Sequence, residues 1–368
     1  MTQSSLGKGQ TTRIPWIDFC RIYTVFIVVV RHDHGVGANP LSYLDIFHFE
    51  GMIFVFFLLS GYFSYKIRSC TSSKNPHVDF KRLFRLLVPY LFWVIVGVLA
   101  LFPIIYHHQI ASGDWSFLSI GNLMKQLGIY PCWPHAFPLN APLWFLKALI
   151  PLAFLAPILG RIPEKPLCVL IIACLACSDI VVSVEKCARP AGYVADYLPN
   201  RTYESAMALG FFCGGILIRK LCSHEQFTTF VYRNAWWPIA ASALLMCLVR
   251  VWGFIPPSRS SSLVVLSVLT VFSIAALCDK YFPSLFKRVA SWGSAAFFVY
   301  ATHWIVMKCM HSVAIPAILT ETVWGRQLTC LPPLLNFTFC LMLFFVMRKH
   351  FPRLMNWIAM TKPARSKA

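Results

Sequence analysis

Arg21 and His32 stand eleven positions apart in the stretch "DFCRIYTVFIVVVRHDHG", which covers residues 18–35. Between them the chain is uncharged until Arg31 and mostly apolar. An α-helix turns about 100° per residue, so eleven residues end about 20° past three full turns, and the two side chains share one face about 16 Å apart along the axis. An imidazole is the common side chain that takes up and returns a proton near neutral pH. A guanidinium holds an anion, phosphate above all, through its planar fork of donors. Both on one stripe of an apolar helix predict a polar cavity through the protein, with a base toward one end and an anion holder toward the other. Two plainer readings compete. Arg21 can pair with Asp18 one turn away or snorkel to an interface. His32 can be a solvated residue of "RHDHG" at the helix exit.

The elements that must position this pair are membrane helices. The 368 residues are 58% hydrophobic and 13% charged, whereas a soluble protein is about 25% charged. Apolar segments near 14–31, 46–65, 83–105, 142–160, 167–183, 203–218, 235–253, 262–278, 290–310 and 328–347 suit transmembrane helices. The net charge is +19, from 33 Lys and Arg against 14 Asp and Glu. These charges fall between apolar runs, which indicates membrane topology rather than nucleic-acid binding. With the amino terminus inside, most basic residues face inward and every inner loop is basic, the richest being "KIRSCTSSKNPHVDFKRLFR". The expectation is an all-α integral membrane protein, a bundle of about ten transmembrane helices with both termini cytoplasmic. Residues 1–13 form a cytoplasmic segment, 14–347 one membrane domain and 348–368 a basic tail anchored to lipid around Trp357. The first apolar run is read as an uncleaved span, because Asp18 and Arg21 interrupt it.

Fourteen cysteines lie mostly inside apolar runs, Cys20, Cys174, Cys213 and Cys340 among them, and read as small packing residues. No His/Cys/Asp/Glu arrangement predicts a metal site.

Four further segments accompany the Arg21–His32 spacing: "FVFFLLSGYF" (54–63), "KRLFRLLVPYLFW" (81–93), "APLWFLKALI" (141–150) and "FFVYATHWIV" (297–306). Together and in this order they resemble the acyltransferase-3 family of membrane proteins, which includes bacterial O-acetyltransferases of surface polysaccharides. The chain looks most like the shorter sugar-acetylating members of the enterobacterial-common-antigen type. It departs from the family where longer members carry an acidic residue just before the Ser-Gly pair; here "EGMIFVFFLLSG" places Glu50 earlier.

The resemblance implies transfer of an acyl group, commonly acetyl, from cytoplasmic acyl-CoA to a hydroxyl of a surface polysaccharide or lipid-linked glycan, in the bacterial inner membrane. Partners are then membrane lipid, acyl-CoA as donor substrate and a saccharide acceptor, with no permanently bound cofactor. A transporter or flippase of lipid-linked sugar is the alternative. Acyl transfer needs a base for the acceptor hydroxyl, help for the developing oxyanion and a hold on the donor. His32 is the expected base or acyl carrier, with Glu50 as its acidic partner in preference to Asp33 or His34. Arg82 and Arg85, one turn apart, are expected to hold the donor with Arg21. Ser60, Trp144, Lys147 and His303 are cavity-lining candidates.

Overall fold

The computed structural model describes residues 14–32, 51–65, 80–115, 119, 140–188, 202–252, 260–312 and 331–359. Among them there is no strand. The helices are α1 (Pro15–His32), α2 (Met52–Ser64), α3 (Phe80–Ile105), α4 (His107–Ser112), α5 (Trp144–Leu159), α6 (Glu164–Ala188), α7 (Thr202–Leu221), α8 (His224–Arg233), α9 (Trp236–Trp252), α10 (Ser261–Tyr281), α11 (Pro283–Ser291), α12 (Ala296–Ser312), α13 (Leu331–His350) and α14 (Pro352–Ile358). Short 3-10 turns, Ala141–Leu143 and Trp292–Ala295, lead into α5 and α12.

Each of the ten expected segments overlaps a helix among the described residues. Among the described residues, five helical stretches are long and apolar enough to cross a membrane: Leu83–Ile105, Ala141–Leu159, Glu164–Val184, Ser261–Tyr281 and Leu331–His350. There are six if the pair Glu204–Leu221 and His224–Arg233, bent by 109°, counts as one. The other expected spans differ for local reasons. Helix α1 carries Asp18, Arg21 and Arg31 in 18 residues. Helix α2 has 13 residues and α12 has 17. Lipid exposure is legible on α3, α6 and α13, whose Leu91, Ile95, Leu99, Val169, Ile172, Ile180, Phe339, Met342 and Val346 are exposed apolar side chains.

Two boundaries differ from the sequence expectation. The ninth span, expected from 290, is preceded by a separate amphipathic helix, α11. Pro283 starts it, Phe286 and Ala290 are buried, and Lys287 and Arg288 stay exposed. The segment after the sixth span, read as a loop, forms α8. Ser223 caps it: its hydroxyl accepts from the Gln226 N–H at 3.1 Å, and the Gln226 side chain accepts from the Ser223 N–H at 2.8 Å. That reciprocal box begins a new helix rather than prolonging α7.

The core is built around α1, which touches α2, α10, α11, α12 and α13. Phe19 stacks on Phe286 with ring centres 5.2 Å apart, and Trp16 meets Phe227 and Phe272 edge-on. Helices α2 and α7 cross backbone to backbone. A Cβ on Gly61 would stand 1.9 Å from the Phe212 carbonyl oxygen, and one on Gly215 would stand 2.0 Å from the Leu58 carbonyl oxygen. The Ser-Gly pair of the second span is therefore a helix-packing device, as small residues often are in membranes. Buried Cys20, Cys213 and Cys340 fill the core as free thiols.

The start of α1 and the end of α13 both reach the turn that leads into α12. Gly293 packs on Asp18 of α1, and the Arg348 guanidinium, near the end of α13, donates to the Ser294 hydroxyl at 3.0 Å. Helix α14 folds back so that the Trp93 indole donates to the Ile358 carbonyl at 2.9 Å, leaving Trp357 exposed.

Candidate functional site

Helix α1 carries the pair from one end of the bundle to the other. Its amino-terminal half is positioned by Trp16, whose indole donates to the Thr228 hydroxyl of α8 at 3.2 Å, and by the Gly293 contact at Asp18. Arg21 pairs with Asp18, Nη1 to Oδ1 3.1 Å, one of the two plainer readings of this residue. The pairing leaves the guanidinium about one-third exposed, and its other face lies 5.6 Å from the Phe63 ring centre. Phe63 belongs to a corner where several polar groups converge. The Tyr62 hydroxyl and His224 Nδ1 are 2.6 Å apart, and the Arg219 guanidinium sits 5.6 Å over the Tyr62 ring. Burial, and then the Arg219 charge, hold His224 below its ordinary pKa. The Tyr62 hydroxyl and His224 Nδ1 thus share a hydrogen bond in a setting that disfavours the charged ring. Arg21, Arg219 and His224 gather around the "GYF" end of α2.

Sequence reading missed Arg219 and His224, taking the run "RKLCSH" for topology charge. The Ser223–Gln226 capping box was the available signal, because it turns the chain back at 109° and brings His224 onto Tyr62.

At the far end of α1, His32 is exposed. Its ring lies 5.4 Å from that of His303 and 5.2 Å from that of Trp304, centre to centre, and the Lys308 ammonium sits 4.9 Å over Trp304. His303 is fully buried. Its Nδ1 stands 2.6 Å from the Tyr300 carbonyl oxygen, a contact that requires Nδ1–H as donor. In the neutral ring Nε2 is then an acceptor, and it has no hydrogen-bond partner among the described residues. An unmet buried acceptor costs about 1–3 kcal/mol. The α12 segment around His303 is held from two sides. Asn140 Nδ2 donates to the Ala301 carbonyl at 2.8 Å and Tyr300 donates to the Pro142 carbonyl at 2.5 Å. Asn336 Nδ2 donates to the His303 carbonyl at 3.1 Å.

The remaining expected residues scatter. Trp144 and Lys147, both partly buried, follow the turn that Tyr300 anchors, and Trp144 faces Phe57 at 6.2 Å between ring centres. Ser60 is partly buried, and its carbonyl accepts from the Ser64 hydroxyl at 2.5 Å. Arg85 is exposed near the start of α3. Arg82 belongs to the same turn, but its side chain lies outside the described residues, as do Glu50, Asp33 and His34 altogether.

The arrangement can hold an anion at the Arg21 corner and handle a proton at the His32 end. By helix geometry these functions lie about 16 Å apart. The chain has no match among curated proteins and none among solved structures. Residues 14–354 match a family described as an acyltransferase domain, a stretch that begins at α1, ends inside α14 and takes in both ends of the Arg21–His32 stripe. With that match spread over a domain whose described residues are helical and include five stretches long and apolar enough to cross a membrane, the chain belongs to the acyltransferase-3 family and is a membrane acyltransferase.

Proposed function

We propose that the protein is a transmembrane O-acyltransferase, acetyl being its foremost acyl group. In this reading it moves the acyl group from cytoplasmic acyl-CoA to a hydroxyl of a surface polysaccharide or lipid-linked glycan across the bacterial inner membrane. The observation that carries the proposal is the division of α1: a guanidinium corner at one end, a histidine pair at the other, in a chain of this family. CoA is a polyanion, and arginine forks suit its phosphates. Arg21 holds the donor, joined by Arg219 at the same corner and by Arg82 and Arg85 at the mouth. His32 takes the proton of the acceptor hydroxyl as its oxygen attacks the thioester carbonyl. The new C–O bond forms, the C–S bond breaks, and the imidazolium returns its proton to the CoA thiolate. An acyl-imidazole on His32 is the two-step form of the same transfer. Lys147 and Trp144 face an anionic or sugar acceptor, Glu50 supports His32, and Ser60 and His303 line the cavity. Ten spans with both termini cytoplasmic complete the proposal. The approach of the α1 start and the α13 end to the same Gly293–Ser294 turn supports an even number of crossings between them.

The break between α7 and α8 favours one second reading, a transporter or flippase of lipid-linked sugar, since interrupted helices often build transport sites. Purified protein in vesicles with radiolabelled acetyl-CoA and a glycan acceptor separates the two. Label is expected on the glycan, and His32→Ala is expected to lower the transfer at least about 100-fold while binding of acetyl-CoA persists. Glycan movement without label, or near-normal turnover by His32→Ala, defeats the proposal.

A further inference from the structure

The geometry points to His303 as the positioning residue for His32, a role performed by its Nε2 accepting a hydrogen bond from an N–H of the His32 ring. This rests on the reading of His32 as the base, and it gives that base a neutral histidine as an orienting partner beside the proposed Glu50.

Three observations converge. The first is the tautomer. His303 Nδ1 is committed to the Tyr300 carbonyl at 2.6 Å, so in the neutral ring its Nε2 carries the lone pair and accepts. The second is that this Nε2 is buried and has no partner among the described residues, although buried polar atoms normally find one. The third is proximity. Ring centres 5.4 Å apart leave room for an N–H···N hydrogen bond of about 3 Å between facing nitrogens. Of the two rings, His303 is immobilised, because α12 is pinned by Asn140 at Ala301, by Asn336 at the His303 carbonyl and by Tyr300 at Pro142. His32 is the exposed ring, at the carboxyl-terminal end of α1.

The consequence is mechanical. A base must present a lone pair to the hydroxyl, so its other nitrogen must carry the hydrogen and needs an acceptor behind it. His303 Nε2 supplies that acceptor. It fixes the tautomer and direction of His32, and it stabilises the imidazolium formed when the hydroxyl proton arrives. Trp304 closes one side of His32 with ring centres 5.2 Å apart, and Lys308 caps Trp304 with the nearby positive charge.

The test uses the full-length protein in lipid. His303→Leu keeps bulk and removes the acceptor. It is expected to lower the maximal transfer rate about 100-fold with acetyl-CoA affinity unchanged. The acid limb of the pH–rate profile is expected to move to lower pH, because the His32 imidazolium loses its acceptor. His303→Gln offers an amide oxygen near the position of Nε2 and is expected to recover at least about ten-fold of that loss. A His303→Leu protein with an unchanged rate and acid limb overturns the inference, as does a His303→Gln protein no better than the leucine variant. If the leucine variant fails to fold, the contact is read in wild-type protein from the 15N resonance of His303 Nε2. That resonance is expected to move on His32→Ala, and a resonance that stays in place overturns the inference. Loss of the His32 role itself would show separately, as transfer that survives His32→Ala.

Discussion

His224 shows how one side chain's setting becomes a measurable property. Its Nδ1 is 2.6 Å from the Tyr62 hydroxyl, and burial together with Arg219 disfavours its charged form. A histidine in the unfolded chain titrates near about 6.5. The folded value lies below that. As pH falls through about 6.5, the unfolded state gains a proton that the folded state does not yet accept, so stability is present above this pH and is lost on the way down to the folded value. The melting temperature of the protein in detergent is expected to fall more steeply from pH 7.5 to 5.5 in the wild type than in His224→Asn, whose amide oxygen accepts from Tyr62 without titrating. Parallel curves for the two proteins would show that His224 contributes no linkage. Arg21 illustrates a different point at the same scale. Its ion pair with Asp18 and its place over Phe63 are compatible with each other, so a structural partner leaves the proposed donor role standing.

Among the elements, the α2–α7 crossing is the least forgiving. Gly61 and Gly215 let the two backbones touch, and the atoms that a new Cβ would meet are carbonyl oxygens, which cannot rotate away as a side-chain tip can. Gly61→Ala must push the helices apart. The expected cost is about 3 kcal/mol or more, at the upper end of overpacking effects, and Tyr62 would leave His224 with it. Gly214→Ala is the internal control on the next position, where a Cβ meets nothing within 4 Å. There the gain in helix propensity, about 1 kcal/mol at most, is expected to leave stability equal or higher. Thermal unfolding of both variants in the same detergent checks the contrast. Equal melting temperatures would mean that the crossing is looser than its backbone geometry.

For the whole molecule, the decisive feature is where α1 starts and α13 ends. Asp18 near the start of α1 and Arg348 near the end of α13 both reach the Gly293–Ser294 turn. With the start of α1 and the end of α13 at one end of the bundle, the proposed arrangement has an even number of crossings from α1 to α13. In the proposed ten-span arrangement the Lys and Arg excess of the inner loops puts that side in the cytoplasm. Reporter fusions after Ala368 and ahead of Arg13 are expected to report the cytoplasm, and an insertion near Asp114 the opposite side. Opposite reports from the two termini would require an odd number of crossings and break the ten-span arrangement. Exposed Trp357 on α14 and Lys287 and Arg288 on α11 suit an interface with anionic lipid.

Several features were determined by local sequence alone. Apolar run length and charge content specify a helical membrane protein, because a span must satisfy its backbone internally. The eleven-residue spacing puts Arg21 and His32 on one stripe, because helix geometry is a property of the backbone. The motifs from "FVFFLLSGYF" to "FFVYATHWIV" carried the family, which the match over residues 14–354 bears out. Tertiary structure decided which groups stand around each end of that stripe. Arg219 and His224 lie far from Tyr62 in sequence and reach it through the 109° bend after α7. His303 and His32 are 271 positions apart, and only the packing of α12 against α1 makes them neighbours. Which nitrogen of His303 bears the hydrogen was decided by a carbonyl three residues earlier in its own helix. Pairings between segments distant along the chain depend on how helices cross, and crossing geometry depends on contacts such as Gly61 against Phe212 that neither segment encodes by itself.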